Sequence, residues 1–286
     1  MVSNFFRFVF ALIFSISLMS VPAFAQSDFT KETYAVRQGA EFDIYRPTAS
    51  PFGNARPVLI FIHGGGWTTG TRADLDLWCQ YYASLGFVTI TTDYRLAPQN
   101  PWPAQYEDVR DLVYMVRQFA PYLQADPNRV AAIGFSAGAH LAGLLGNVEF
   151  KNGTLSSKVN RVVTIAAPWD LVDPMANPSK YPDPVATLGT IYALFGQTQP
   201  SVSQLTIASP YHHITGASAK SLMFHGTNDT LVPSFQSTTS CNKLNSKGVT
   251  CNLVLMPNTG HGLPADINVI LSPLNQFLFN WMSSPN

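Results

Sequence analysis

The sequence predicts an α/β fold in which a mostly parallel sheet is covered by helices on both faces. Short apolar or β-branched runs alternate along the chain with longer helical patterns, which is typical of parallel strands joined by helices. One run, 58–62, is continuously apolar, as expected of a strand that is buried on both faces. The chain has 286 residues, of which 46% are hydrophobic, so it can form one large domain with a substantial core, or two small ones.

The predicted elements alternate in type along the chain. The first strand, 42–45, alternates apolar and polar residues, whereas 58–62 is apolar throughout and 87–92 is rich in β-branched residues. The remaining strands are short buried runs at 130–133, 162–165, 221–224 and 251–256. Helices are predicted at 75–85, 103–119, 139–145 and 269–281. In the second of these helices the apolar residues recur on one face with helical spacing, which is typical of an amphipathic helix.

Residues 168–214 interrupt this alternation, because they lie between two strands where a plain connection would be much shorter. The segment carries seven prolines: Pro168, Pro174, Pro178, Pro182, Pro184, Pro200 and Pro210. We interpret it as an insertion after the sixth strand, lying over the carboxyl edge of the sheet as a lid or pocket wall. Within it, only 187–195 is predicted to form a helix.

Residues 1–25 are predicted to be a signal peptide. The stretch has one charge, an apolar centre at 8–19, and a small-x-small cleavage site formed by Ala23 and Ala25, so we expect cleavage after Ala25. The alternative is an uncleaved membrane anchor, but the apolar run is short for a membrane span. Residues 26–286 are therefore predicted to form one domain, secreted or periplasmic, that makes no membrane contact after cleavage.

Charge and residue spacing exclude several kinds of partner. Lysine plus arginine and aspartate plus glutamate both number 17, and the chain has no basic run or stripe, so no nucleic-acid binding is expected. No cluster of cysteines and histidines has the spacing of metal ligands, so no metal site is expected. The sequence does not predict an oligomeric state.

The three cysteines of the chain are Cys79, Cys241 and Cys251. Export permits a disulfide. Because Cys241 and Cys251 lie on either side of a predicted helix-to-strand turn, we expect these two to be bridged and Cys79 to be buried and free. The alternative is that all three thiols are reduced and buried.

The most informative motif is the G-x-S-x-G pattern at 134–138, centred on Ser136. It follows the strand-like run 129–133 and precedes a helical pattern of small residues, so it has the strand–turn–helix context of a nucleophile elbow. Glycines on both sides let strand and helix pass without Cβ collisions while the serine is raised above the sheet. A five-residue pattern also arises by chance, so its function depends on a base, an acid and amide donors elsewhere in the chain.

The loop 63–67, directly after strand 58–62, offers amide donors. Its three consecutive glycines, Gly64–Gly66, cost backbone entropy but leave bare amides that can approach one oxygen of a ligand. The loop lacks the lysine of a P-loop and the spacing G-x-G-x-x-G, so phosphate binding is not expected.

An acid and a base follow the last two strands. Asp229 lies in the loop after 221–224, and His261 lies between two glycines after 251–256. A neutral imidazole can take the proton of a serine hydroxyl, and a carboxylate fixes the imidazole tautomer. Asp170, which follows strand 162–165, is the alternative acid. The histidines at positions 63, 140 and 225 are expected to be structural.

With these motifs the chain resembles the α/β-hydrolase superfamily, in which nucleophile, acid and base follow one another in the order of Ser136, Asp229 and His261. Within it, the chain is similar to the feruloyl/acetyl-esterase-like and hormone-sensitive-lipase-like branch. The matching stretches are 63–67, 93–98, 101–109, 134–142 and the loops around Asp229 and His261. The likeness spans about Glu41 to the C-terminus. Phe135 stands where lipase-like members often have an acidic residue, which favours exported carbohydrate-esterase-like members.

The resemblance implies an α/β-hydrolase fold and a serine carboxylesterase that works through an acyl-enzyme without metal or cofactor. It implies an oxyanion hole formed by the amides of Gly65, Gly66 and Ala137. Trp67 and Phe135 are candidates for the substrate pocket, and a packed aromatic is an equal alternative for Trp67. The expected substrates are small or medium acyl esters, including acetyl or feruloyl esters of carbohydrates.

Two other functions remain open from the sequence. Arylformamidases share a His-Gly-Gly-x-Trp loop, so an amide hydrolase of that kind is one alternative. The other is a non-catalytic hydrolase-fold protein used for binding. Such proteins usually lose a member of the triad, whereas this chain has a candidate for each.

Overall fold

The computed structural model describes residues 28–283. The predicted signal peptide and its cleavage site lie outside the described residues. Among the described residues, no helix combines the length and apolar character needed to cross a membrane.

The strands and helices alternate along the chain. The strands are β1 (Phe29–Arg37), β2 (Ala40–Pro47), β3 (Arg56–Ile62), β4 (Val88–Thr92), β5 (Ala125–Phe135), β6 (Lys151–Asn152), β7 (Leu155–Ser156), β8 (Arg161–Ile165), β9 (Lys220–Gly226) and β10 (Cys251–Met256). The helices are α1 (Asp76–Ser84), α2 (Ala104–Gln118), α3 (Ala120–Leu123), α4 (Ala137–Asn147), α5 (Val172–Ala176), α6 (Pro184–Phe195), α7 (Val202–Ala208), α8 (Phe235–Ser246) and α9 (Asn268–Met282). Short 3-10 helices cover Arg72–Leu75, Pro178–Lys180 and Pro210–His213.

Eight strands form one sheet in the order β1-β2-β4-β3-β5-β8-β9-β10, and β6 pairs with β7 in a separate hairpin. The β1–β2 and β2–β4 pairings are antiparallel, whereas every pairing from β4 to β10 is parallel. The predicted α/β fold with a mostly parallel sheet is therefore confirmed. Because β5, β8, β9 and β10 are adjacent and parallel, the loops that follow them meet at one edge of the sheet.

Along the buried strands, successive side chains point to opposite faces of the sheet. In β3, Val58, Ile60 and Ile62 belong to one hydrophobic cluster with residues of α2 and α4. Leu59 and Phe61 belong to another, with residues of α1 and α9. All five side chains are fully buried, which accounts for the continuous apolar run in the sequence.

Strand β1 was not predicted from the sequence. It pairs with β2 at the edge of the sheet, and most of its residues are exposed or half-buried, so it carries no long apolar signal. With β1 counted, the insertion at 168–214 follows β8, which is the sixth strand of the main sheet in chain order.

The expectation of one helix in the insertion is wrong. The segment contains α5, α6 and α7 and two 3-10 helices. Prolines occupy the first turn of α6 and of both 3-10 helices, where the missing N–H groups have no helical partner to lose. In this insertion the prolines therefore begin helices rather than exclude them.

The structure contains a disulfide between Cys241 and Cys251, with the Cα atoms 5.4 Å apart. It joins α8 to β10 at one edge of the sheet. Cys79 is a buried free thiol in α1 and belongs to the hydrophobic cluster that contains Leu59 and Phe61. These assignments agree with the pairing expected from the sequence.

Candidate active site

Ser136 occupies the sharp turn between β5 and α4. Its backbone has φ 52° and ψ −115°, a region that costs on the order of 1–3 kcal/mol for a residue with a side chain. The Ser136 amide donates to the carbonyl of Ile165 on β8 at 2.8 Å, which helps to hold the turn in place. The strained conformation raises the side chain above the carboxyl edge of the sheet, as a nucleophile elbow requires.

The two elbow glycines are required by close backbone contacts. A Cβ atom on Gly134 would collide with the carbonyl of Gly138, where α4 begins. A Cβ atom on Gly138 would collide with the carbonyl of Ile62, at the end of β3. At the two glycines, β5, α4 and β3 therefore approach one another more closely than residues with a Cβ atom would allow.

Three side chains form a continuous hydrogen-bonded chain at this turn. Ser136 Oγ lies 2.8 Å from His261 Nε2, and His261 Nδ1 lies 2.8 Å from Asp229 Oδ2. The carboxylate accepts the Nδ1–H proton, which leaves the Nε2 lone pair facing the serine hydroxyl. This is the arrangement in which the imidazole can take the serine proton.

The loops that carry the acid and the base are bound to each other. A Cβ atom on Gly226, at the end of β9, would collide with the carbonyls of Thr259 and Gly260. The Asn228 amide donates to the Thr259 carbonyl at 2.9 Å. This close approach positions Asp229 against His261, although 32 residues separate them.

His225 is a second histidine on the same carboxylate, and sequence reasoning missed this contact. Its Nε2 lies 3.2 Å from Asp229 Oδ2 and 2.6 Å from the Val232 carbonyl, and its Nδ1 lies 2.7 Å from Ser237 Oγ. Both neighbours of Nε2 are acceptors, so the proton belongs on Nε2. The spacing of four residues between His225 and Asp229, directly after a strand, is the only signal of this contact in the sequence.

Asp229 is an ionised carboxylate in a buried position. Burial raises the pKa of its carboxyl, but hydrogen bonds from His225 and His261, the charge of His261 and the Val232 amide outweigh burial and hold the pKa at about 2. The Leu231 and Val232 amides donate to Oδ1 at 3.0 and 2.8 Å. The acid is therefore fixed in place as well as charged.

The glycine loop turns left-handed beside Ser136. The φ angles of Gly65, Gly66 and Trp67 are 103°, 57° and 61°. A Cβ atom on Gly64 would lie 3.3 Å from the Cβ of Ser136, and one on Gly65 would collide with the backbone of Thr69. Glycine is thus needed at position 64 for the approach to the serine and at position 65 for the turn.

The three amides assigned to an oxyanion hole are available. Within residues 28–283, the N–H groups of Gly65, Gly66 and Ala137 donate to no protein acceptor. The Ala137 amide belongs to the first turn of α4, where N–H groups have no helical partner. Free amides in two neighbouring segments can donate to one oxygen of a ligand at Ser136.

Trp67 and Phe135 are packed in the core rather than exposed in a pocket. They are 2% and 3% exposed. The Trp67 ring contacts His140 edge-on with centroids 5.1 Å apart, and the Phe135 ring packs against Trp78 at 5.5 Å. Both rings are therefore largely covered by protein, which agrees with the alternative of a packed aromatic for Trp67, and their part in a substrate pocket stays a prediction.

His63 and His140 have structural contacts, as expected. His63 Nδ1 donates to the Gly64 carbonyl at 2.8 Å, and its ring stacks on Tyr94 with centroids 4.2 Å apart. His140 Nε2 donates to the Ala208 carbonyl at 2.7 Å. Burial lowers the pKa of both rings, that of His140 to about 3, so both are neutral.

Asp170, the alternative acid, makes its hydrogen bonds to residues other than His261. Its Oδ1 accepts from the Val172 amide at 2.8 Å at the start of α5 and lies 3.3 Å from His212 Nε2. The His261 ring is instead held by Asp229. Among the described residues, no group of three or more histidine, cysteine, aspartate or glutamate side chains is arranged to hold a metal ion.

Two cavities flank the segment 93–100. One, of about 560 Å³, is lined in part by Asp93 and Arg95, whose charges are already paired with Arg72 and Asp108. The other, of about 570 Å³, lies between Thr68–Thr69, which follow the glycine loop, and α6 of the insertion, and none of its lining side chains carries a charge.

Comparison with known proteins places these features in a family. The BD-FAE family model matches residues 42–244. The matched range includes the glycine loop, Ser136 and Asp229 and ends before His261.

Among curated proteins, the chain is 30% identical over 240 residues to Esterase LipC of Mycobacterium tuberculosis, a match that covers 77% of this chain and 56% of that protein. It is 29% identical over 198 residues to the Probable carboxylic ester hydrolase LipM of the same organism, covering 67% of this chain and 45% of that protein. The chain thus spans about half the length of these relatives.

Among solved structures, Thermogutta terrifontis esterase 2 phosphonylated by sarin superposes with a TM-score of 0.76. The two chains are 25% identical, and the alignment covers 90% of this chain and 97% of the other. The apo form of the same esterase gives a TM-score of 0.75 at 24% identity. The overall architecture therefore has a counterpart in a known structure.

Proposed function

Since the chain belongs to the BD-FAE family and has the α/β-hydrolase fold, we propose that it is an exported serine carboxylesterase for small or medium acyl esters. The observation that carries the proposal is the hydrogen-bonded chain from Ser136 through His261 to Asp229, with distances of 2.8 and 2.8 Å, beside three unpaired amides. The relatives named as esterases support ester hydrolysis as the reaction. Export rests on the signal peptide predicted from the sequence.

In the first half of the proposed reaction, Ser136 Oγ attacks the ester carbonyl carbon while His261 Nε2 takes the hydroxyl proton. The carbonyl oxygen becomes an oxyanion that accepts from the amides of Gly65, Gly66 and Ala137. The tetrahedral intermediate collapses, the bond to the alcohol oxygen breaks, and His261 gives its proton to the leaving alcohol. The product is an acyl group esterified to Ser136.

In the second half, His261 takes a proton from water as the water oxygen attacks the acyl carbon. The same amides hold the new oxyanion. Collapse breaks the bond to Ser136 Oγ, which takes back the proton from His261 as the carboxylic acid leaves. Each half-reaction returns the imidazole to its neutral form, so one histidine serves both.

Asp229 and His225 prepare the base for this cycle. The ionised Asp229 selects the His261 tautomer with its proton on Nδ1 and stabilises the imidazolium that forms in each step. His225 donates to the same carboxylate and fixes its orientation. Its contact is with the acid, so we assign it a positioning role.

The proposed substrates include acetyl or feruloyl esters of carbohydrates, and this choice rests on the resemblance of the motifs. The uncharged cavity beside the glycine loop is compatible with neutral esters of that kind. The specific ester is best identified with a panel of acetylated and feruloylated sugars together with an N-formyl arylamine. Faster cleavage of the formyl amide would replace the esterase proposal with the arylformamidase alternative.

The mechanism is tested with Ser136→Ala and p-nitrophenyl acetate. We expect kcat to fall by on the order of 10⁴ or more, because the variant lacks the nucleophile. A fluorophosphonate probe should label wild-type protein at Ser136 and leave the variant unlabelled. Equal hydrolysis by both proteins, or labelling at another residue, would overturn the assignment.

A further inference from the structure

The glycine loop ends in a turn whose backbone does not suit its sequence. The Thr68 amide donates to the Gly65 carbonyl at 3.0 Å, which closes a turn over residues 65–68. The two central residues of this turn, Gly66 and Trp67, both have positive φ angles, 57° and 61°. Turns of this kind favour glycine, asparagine and aspartate at their centre, because a bulky side chain is strained there. Trp67 is therefore a large residue at a position where a fourth glycine would relieve strain.

Both the ring and the backbone of Trp67 are held by neighbouring segments. The side chain is buried, and its ring meets the His140 ring edge-on, with centroids 5.1 Å apart and an angle of 83° between the planes. The Trp67 carbonyl accepts from the Ala97 amide at 2.9 Å. A strained backbone persists only where its surroundings hold it, and such residues are concentrated at active sites.

His140 is a fixed partner for this ring. Its amide donates to the Ser136 carbonyl at 3.0 Å in the first turn of α4, and its Nε2 donates to the Ala208 carbonyl at 2.7 Å. The Trp102 ring also packs against it, with centroids 6.0 Å apart. A ring packed on His140 is therefore tied to the helix that begins with the Ala137 amide.

The contact between the two rings spans the two segments that carry the free amides. Two glycine amides directly precede Trp67, and Ala137 lies three residues before His140. The start of the loop is positioned separately, because a Cβ atom on Gly64 would lie 3.0 Å from the Phe135 carbonyl. Trp67 is thus the side chain that fixes the other end of the loop against α4.

We propose that Trp67 is a positioning residue for the oxyanion hole: its ring, packed on His140, sets the place of the loop amides relative to the Ala137 amide. This inference rests on the proposed esterase function. An oxyanion forms only as Ser136 attacks, so the position of the amides affects the transition state rather than the binding of the ester. Trp67 acts through its neighbours and needs no contact with the substrate.

The proposal is tested with Trp67→Phe and Trp67→Leu on p-nitrophenyl acetate. Within the described part of the chain, the indole N–H of Trp67 has no acceptor, so phenylalanine reduces the ring without breaking a hydrogen bond, whereas leucine removes the ring. We expect kcat, counted per site that a fluorophosphonate labels, to fall on the order of 10²-fold in Trp67→Leu, because a displacement of about 1 Å costs about this much. Trp67→Phe should show a smaller loss, and it keeps the test valid if the leucine variant is unstable. KM should stay near the wild-type value, as for an interaction made in the transition state alone.

A second measurement reports on the oxyanion directly. In the presence of an alkyl trifluoromethyl ketone, Ser136 Oγ adds to the ketone carbon, its proton passes to His261, and the ketone oxygen becomes an oxyanion at the amides. The inhibition constant should rise in the Trp67 variants by about the factor by which kcat/KM falls. A residue that only stabilised the fold would lower the number of labelled sites and leave both quantities unchanged per site, and that result would overturn the positioning role.

The matched control is Trp281→Phe. Trp281 is also buried, and its ring packs on Arg161, 5.4 Å from the guanidinium carbon, at the start of β8. Ser136 bonds instead to the last residue of that strand, Ile165. The control should keep the wild-type kcat per labelled site and the wild-type inhibition constant. Equal losses in the control, or a wild-type kcat per labelled site in both Trp67 variants, would overturn the proposal.

The partner of the ring is tested with His140→Gln, which removes the imidazole but keeps a donor for the Ala208 carbonyl. Alone it should lower kcat per labelled site, and adding Trp67→Phe should lower kcat little further, because both substitutions weaken one contact. Losses that multiply in the double variant would overturn the role of this contact.

Failure of the esterase proposal itself looks different. In that case the wild-type protein would not hydrolyse p-nitrophenyl acetate, and the fluorophosphonate would not label Ser136. Active wild-type protein whose kcat is indifferent to position 67 would contradict only the positioning role.

Discussion

Asp229 accepts four hydrogen bonds although its side chain is fully buried. The donors are the rings of His225 and His261 and the amides of Leu231 and Val232. A buried carboxylate stays ionised only with such compensation, and here the pKa of the carboxyl is held at about 2. The residue therefore remains a stable anion throughout the neutral range, which is the state that orients His261.

Asp229→Asn is expected to lower kcat for p-nitrophenyl acetate by on the order of 10³–10⁴. The asparagine amide can donate to Nδ1 of His261, which places the imidazole proton on Nε2, where the lone pair is needed. Asp170→Asn is the matched control, since Asp170 contacts His212 instead, and it should retain near wild-type kcat. A comparable loss in the control would make Asp170 a candidate for the acid again.

His140 predicts a pH dependence of stability. Burial lowers its pKa to about 3, so below about pH 6.5 the unfolded chain takes up a proton that the folded protein does not bind. The native state therefore loses stability as the pH falls from 6.5 towards 3, by up to about 1.4 kcal/mol per pH unit, and the loss is absent above 6.5.

The measurement compares the free energy of unfolding of wild type and His140→Gln in urea at pH 7, 6 and 5, above the range in which Asp229 takes up a proton. Glutamine can still donate to the Ala208 carbonyl but does not titrate, so the stability of wild type relative to the variant should decline as the pH falls. His213→Gln removes a partly exposed histidine that bonds to the neighbouring Ile207 carbonyl at 2.9 Å. This variant is the control for a histidine-to-glutamine change elsewhere, and a pH-independent difference for His140→Gln would contradict the prediction.

Among the elements, the glycine at the start of α4 and the glycine inside α6 have opposite surroundings, one crowded and one open. At Gly138 the helix passes against the end of β3, and a Cβ atom would collide with a backbone carbonyl. At Gly189 a Cβ atom would meet no atom within 4 Å. Replacing each glycine with alanine therefore compares a position where close packing requires glycine with a position beside open space.

Gly138→Ala is expected to lower the free energy of unfolding by about 1–3 kcal/mol, because backbone must move to relieve the collision. Gly189→Ala should raise it by about 0.5–1 kcal/mol, since alanine favours the helix and meets no obstacle. Urea unfolding monitored by circular dichroism measures both. Changes of the same sign in the two variants would show that the two glycines do not differ in this way.

Most elements could be predicted because their apolar patterns are strong, and the exceptions have physical causes. Strand β1 is largely exposed and pairs with only one neighbour, so its sequence lacks the apolar pattern of the central strands. In the insertion, the predicted helix 187–195 begins earlier, at Pro184, and α5 and α7 were not predicted. A usable signal for α7 was present, because Ser201 and Gln204 form a capping box.

Some features of the candidate site could likewise be predicted from the sequence, and others could not. Ser136, Asp229 and His261 could be named from loop positions, since parallel strands place the following loops at one edge of the sheet. The contact of His225 with Asp229 and the burial of Trp67 could not, because both depend on how loops fold back on the core.

At the scale of the whole molecule, the sheet brings together groups that are remote along the chain. Ser136 and His261 are 125 residues apart in sequence yet within hydrogen-bonding distance. His261, the proposed base, follows β10, an edge strand that has a neighbour on one side only. The Cys241–Cys251 disulfide ties this edge strand to α8, so the integrity of the edge depends partly on a covalent link.

Replacing both bridged cysteines, in Cys241→Ser/Cys251→Ser, should lower the free energy of unfolding by about 2–3 kcal/mol. The estimate follows from the loop entropy of a bridge across about ten residues, which restricts the unfolded chain. Adding reductant to the wild-type protein should reproduce most of the loss without affecting the double variant. Equal stability of the two proteins under oxidising conditions would contradict a stabilising bridge.

The hydrogen bond from Thr187 to the Leu231 carbonyl joins the insertion to the acid loop. Any excursion of α6 away from the sheet must break this bond and loosen the segment that holds Asp229. The two segments should therefore exchange amide hydrogens for deuterium at correlated rates, as one cooperative opening unit. Under the proposed function, a movement of α6 that breaks this bond would also loosen the loop of Asp229, so the order of the proposed acid is coupled to the position of the insertion.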